Sequence, residues 1–111
     1  MTEEESQLQG LLAISEQAAV VQDGTILGVL LPGIRVQSPA GTEVMDAILC
    51  PRGQGGYVTR LLLERRVKGR DNLNWQQVMA FGRNWQTWSW QNVSAAQPWI
   101  NIFAAHARVL R

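Results

Sequence analysis

The chain has 111 residues, 46% of them apolar, and a formal net charge of +1; that is the size of a single globular domain with one core. No apolar run approaches the roughly 18 residues of a membrane-spanning helix, and the acidic start Glu3-Glu4-Glu5 lacks the basic and then apolar pattern of a secretory leader. One cysteine, Cys50, excludes an internal disulfide and fits a reducing cytoplasm.

In chain order, Thr2-Glu3-Glu4-Glu5 spells a capping box with acids at the positive end of a helix. Leu8, Leu11, Leu12 and Ile14 supply an apolar face, predicting a helix over 3–17 that Gly10 weakens. A short strand at Ala18 to Val21, the hairpin signal Asp23-Gly24 and a strand at Ile26 to Leu31 follow. Pro32-Gly33 breaks the run, and Ile34 and Val36 continue at an edge. Val44 to Leu49 reads as a third strand ended by Pro51. Gly53, Gly55 and Gly56 form a turn, and Tyr57 to Leu63 is rich in β-formers. The basic connection 65–72 leads into a tryptophan-rich stretch expected to be irregular. Ser94 to Gln97 suggests a second capping box, opening a helix whose Trp99, Ile102, Phe103, His106 and Leu110 share one face. The expected architecture is α+β: an N-terminal helix, a four-stranded antiparallel meander, an irregular segment, and a C-terminal helix packed on the sheet.

Charge is uneven. Residues 1–50 carry seven acids and one base, and residues 51–111 carry nine bases and two acids, or −6 against +7. Either the halves attract each other or the basic half meets an acidic partner or nucleic acid. Arg65, Arg66, Lys68 and Arg70 beside Trp75, Trp85 and Trp88 are the candidate partner-binding residues, because tryptophan and arginine dominate interface hot spots. Cationic grooves with aromatic platforms also bind single-stranded nucleic acid.

No complete catalytic set is present. Cys50 is the one candidate nucleophile, with Arg52 as a nearby cation, but it follows the apolar Ala47-Ile48-Leu49, where a cysteine packs as a small apolar residue. His106 is the only histidine and lies on the apolar face of the last helix. One cysteine and one histidine do not make a usual zinc site, so no metal and no cofactor is expected. Gly53-Gln54-Gly55-Gly56 lacks the phosphate-loop lysine and following helix.

The order of elements resembles the ubiquitin-conjugating-enzyme-like (UBC) fold, and the tail resembles diverged bacterial members of that superfamily. The resemblance rests on Asn74-Trp75, Gly82-Arg83-Asn84-Trp85, the block Trp85-Gln86-Thr87-Trp88-Ser89-Trp90 and the helix Trp99 to Arg111. Leu49 to Tyr57 sits where such proteins carry a proline- and tyrosine-containing turn. The chain departs from the family where its chemistry lies. Glu64 to Gln77, the region of the active cysteine, contains none, the His-Pro-Asn motif is missing, and Cys50 precedes the fourth strand. The resemblance therefore implies a non-catalytic binding module of a bacterial ubiquitin-like modification or defence system. Its partner would be a ubiquitin-like modifier, an adenylyltransferase-like activating enzyme or a conjugating subunit. The alternatives are a cysteine-dependent transferase using Cys50 and a single-stranded nucleic-acid binding protein.

Overall fold

The computed structural model describes all 111 residues. Helix α1 (Glu3–Leu12) begins with the capping box: Thr2 Oγ1 accepts from Glu5 N–H, and the Glu5 carboxylate accepts from Thr2 N–H. It ends at Ala13, short of residue 17. Ser15 turns away to donate its hydroxyl to Pro32 O at 2.8 Å, the local hydrogen bonding that makes serine a helix competitor.

Strands β1 (Ala19–Asp23) and β2 (Ile26–Ser38) are joined by the Asp23-Gly24 turn. Pro32-Gly33 does not end β2. The register against β3 (Gly41–Cys50) shifts between Leu31 and Ile34, so the proline sits in a bulge, where its missing N–H costs no ladder bond. Gly33 takes φ +64° and donates to Asp46 Oδ1 at 3.0 Å. Strand β4 is only Arg60–Leu63; Tyr57 to Thr59 belong to the preceding loop.

The tryptophan-rich stretch is not irregular. Trp75–Ala80 and Arg83–Trp88 are strands β5 and β6, a two-residue hairpin whose turn residues Phe81 and Gly82 have φ of 50° and 78°. Positive φ at both positions matches the twist of paired strands. Helix α2 (Trp99–Leu110) starts behind Pro98, without a side-chain cap from its own segment. Its Trp99 N–H donates across the fold to Gln7 Oε1 of α1 at 2.9 Å. At that crossing a Cβ on Gly10 would stand 3.5 Å from Ile100, an ordinary packing distance.

The fold is therefore mainly β: one six-stranded antiparallel sheet, ordered β1-β2-β3-β4-β6-β5, with two helices. This corrects the four-stranded meander expected from the sequence. The missing strands are β5 and β6, and they complete the sheet by pairing Gln86 of β6 with Leu63 of β4.

Alternation along the strands produces two apolar faces. Val29, Leu31, Ala47, Leu49, Leu61, Leu63 and Trp88 bury against Leu11 of α1 and Ile102, Phe103 and Leu110 of α2. Ile48, Cys50, Leu62, Ala80 and Trp85 form a smaller core on the other side, with Val21, Ile26, Leu30, Val78 and Phe81 at its margin. No helix covers this second face. The tip of the β5–β6 hairpin folds over it, and the Phe81 ring lies on the bare backbone of Gly28. A Cβ at Gly28 would stand 2.7 Å from Phe81 Cζ and 2.9 Å from Ile48 Cγ2. Phe81 N–H donates to Asp23 Oδ2 at 2.9 Å, and Arg83 pairs with Asp46 at 3.7 Å.

Gly28→Ala is expected to destabilise the chain by about 1–3 kcal/mol through overpacking. Adding Phe81→Leu should recover part of that loss, as measured by urea unfolding. Equal losses in the single and double variants would mean that the Phe81–Gly28 contact does not hold the hairpin.

Candidate functional site

Register sets the chemistry of the sole cysteine. Cys50 pairs across the ladder with Arg60 and is fully buried in the smaller core. Burial pushes its thiol up to about 12, against the opposing pull of the Arg60 charge. The thiolate is the nucleophilic form, so the site holds an unreactive thiol. Arg52, the expected activating cation, points elsewhere and pairs with Glu4 at 3.6 Å.

Arg60 is the less expected residue. It is 4% exposed and belongs to none of the chain's four ion pairs. Its Nη1 donates to Gln54 Oε1 and its Nη2 to Gln76 Oε1, both at 2.8 Å. Its Nε is buried with no partner. The Tyr57 ring stacks over the guanidinium at 4.1 Å. Tyr57 Oη and Ser89 Oγ are hydrogen-bonded at 3.1 Å; that contact first, against the opposing effect of burial, and then Gln76 and the Arg60 charge, lower the phenol pKa. Asn74 Nδ2 and Gln76 Nε2 also donate to Ser89 Oγ.

His106 is buried against Trp88, with ring centroids 6.4 Å apart, and its Nε2 lies 2.9 Å from Thr59 Oγ1. Thr59 already donates its proton to Val93 O at 2.9 Å, so the imidazole is the Nε2–H tautomer. Burial pushes its pKa down to about 4, and it is neutral at pH 7. Histidine and cysteine belong to different cores and do not form a pair. No three histidine, cysteine or acidic side chains lie close enough to hold a metal ion.

The basic stretch is largely spoken for. Arg65 pairs with Glu43 at 3.4 Å and with Glu64, and donates to Val44 O. Arg66 donates to Gln86 Oε1, and the main-chain N–H of Lys68, not its ammonium, donates to the Glu43 carboxylate. Arg70 donates to the main-chain oxygens of Leu110 and Arg111 at the end of α2, where a cation suits the helix dipole. The acidic and basic halves thus meet within one fold.

Of the tryptophans named from the sequence, Trp85 and Trp88 are 1% and 2% exposed, on opposite faces of β6. Trp75 is half-buried, edge-on to Trp88 with centroids 5.5 Å apart. The structure places none of these three rings as a free surface. Trp90, just beyond β6, is the exposed tryptophan at 43%. It lines a groove of about 610 Å³ with Val93 and with Ala105, Arg108 and Val109 of α2. Nothing in its local sequence separates it from Trp88; only the end of the strand does.

No family model, no curated protein and no solved structure matches this chain.

Trp88→Ala is expected to cost about 3–5 kcal/mol, whereas Trp90→Ala should stay within about 0.5 kcal/mol; paired urea titrations check the contrast. A maleimide should label Cys50 only after denaturant is added, and rapid native labelling would mean the thiol is accessible. For His106 the folded pKa lies below the ordinary 6.5, so below that pH the unfolded chain binds more protons. Stability should be flat above pH 6.5 and fall as pH drops from 6.5 toward about 4, by on the order of 2–3 kcal/mol. His106→Gln should flatten that slope.

Proposed function

We propose that this chain is a non-catalytic protein-binding module that receives its partner on the Trp90–Arg108 groove. The exposed Trp90 ring carries the proposal. It stands beside an apolar groove and an arginine, the residue types that most often supply binding energy, while the other tryptophans are spent on packing. The resemblance of Gly82 to Trp90 and of the last helix to diverged bacterial conjugating-enzyme-like proteins supplies the partner class: a ubiquitin-like modifier or its adenylyltransferase. The buried thiol of Cys50 gives the transferase alternative no support. The ion pairs of Arg65 with Glu43 and Glu64 and the bonds of Arg70 to the end of α2 weaken the nucleic-acid alternative. No helix is long and apolar enough to cross a membrane, and we place the protein in the cytoplasm, where a single unpaired cysteine persists.

Calorimetric titration with a purified ubiquitin-like modifier and a purified adenylyltransferase tests the reading. Trp90→Ala should weaken binding roughly 30-fold or more, as for a hot-spot residue, with the melting temperature unchanged. Arg108→Glu should act in the same direction. Absence of binding to both partner types at high concentration would remove the partner class, and binding that ignores Trp90→Ala would remove the groove.

A further inference from the structure

We propose that Arg60 and the side chains above it form a binding site for a small oxyanion, a carboxylate or a phosphate. The site is separate from the Trp90 groove and does not depend on a protein partner. Its starting point is an electrostatic imbalance. A guanidinium is permanently charged, and burying one without a counter-charge costs several kcal/mol even after relaxation. Arg60 is buried, carries no carboxylate partner, and leaves Nε–H without an acceptor. Its protein acceptors are two neutral amide oxygens, from Gln54 and Gln76, and its ladder partner is the protonated Cys50.

A second observation points the same way. Tyr57 Oη, Asn74 Nδ2 and Gln76 Nε2 are all hydrogen-bonded to one atom, Ser89 Oγ. These four side chains gather within hydrogen-bond distance of one another beside Arg60, and the cluster contains no acid. An oxyanion supplies several strong acceptor positions and the missing negative charge together. The planar guanidinium fork fits a carboxylate or phosphate edge better than a spherical ion.

Access runs through the loop 51–59. Tyr57 and Gln54, which cover the guanidinium, are both carried by it. Gly55 lets the loop backbone approach closely: a Cβ there would stand 2.8 Å from Arg60 Nη1. Tyr57 is only partly buried, so an anion reaches Arg60 when the Tyr57 ring moves off the guanidinium.

The test uses the intact chain and the Arg60 Nε–H resonance. Sodium acetate and sodium phosphate are titrated in separately, with sodium chloride matching the ionic strength. A saturable shift of that resonance is expected in at least one arm, with a rising melting temperature, since a ligand that binds only the folded state stabilises it. Ser89→Ala and Asn74→Ala lie on the surface and should fold normally. Each should weaken binding roughly five- to tenfold, the worth of one hydrogen bond. Arg60→Met should show no anion-dependent change in melting temperature. Should Arg60→Met fail to fold, the two surface variants still decide. A last arm compares acetyl-diglycine with its C-terminal amide: preference for the free acid supports a carboxylate site and identifies a chain terminus as one source. A preference for acetate or phosphate over the acid identifies free ions as the source instead. Shifts no larger than those from chloride, a non-saturating response, or anion effects unchanged in all variants would overturn the proposal.

Discussion

The ring of Phe81 resting on the bare backbone of Gly28 holds the second face of the sheet closed. A six-stranded sheet with helices on one side has another side to protect, and here the sheet uses its own terminal hairpin. That arrangement depends on a position without a Cβ in β2 and on an aromatic residue held at positive φ in the β5–β6 turn. It also depends on Asp23 accepting the turn's N–H. From it follow the burial of Trp85, the dry setting of Cys50, and the position of Arg83 over the Trp85 ring at 4.3 Å.

The two cores treat their polar groups differently. On the helix side, Thr59 links His106 to the main chain of Val93, and the imidazole is neutral, so nothing charged is stranded there. Trp88 leaves one N–H without an acceptor, a cost of about 1–3 kcal/mol set against the large area its rings bury. At the end of the other core a full positive charge sits among amides and hydroxyls. Arg65 and Arg83, at the surface, close instead on the carboxylates of Glu43 and Asp46.

Much of the local chemistry was legible in the sequence and the long-range chemistry was not; the capping box read at Ser94 to Gln97 failed because α2 begins behind Pro98 and takes its cap from distant Gln7. The Thr2–Glu5 capping box, the Asp23-Gly24 turn and the apolar face of the last helix appear where short-range rules place them. The β5–β6 hairpin was missed because Phe81-Gly82 is a poor turn by itself; its positive φ is held by Asp23, 58 residues away. Pro32-Gly33 reads as a strand end because its tolerance depends on a bulge against β3. The site followed the same division. Arg60 looks like one more cation in a basic run, and only its register opposite Cys50 puts it inside. Trp85 and Trp88, three residues apart, would neighbour each other on a helix and face opposite ways on a strand. Reading that stretch as irregular concealed which rings were free.

The contact between the two helices bears on how the chain is made. Helix α1 leaves the ribosome well before α2, yet its apolar side closes against α2, and its Gln7 caps a helix that begins 92 residues later. At ordinary elongation rates the first helix therefore waits roughly 5–20 s for its partner. Throughout that interval Leu8, Leu11 and Leu12 are displayed on the nascent chain. The acids of its first turn keep that waiting segment charged at one end, and its capping box favours the helix that the later contacts complete.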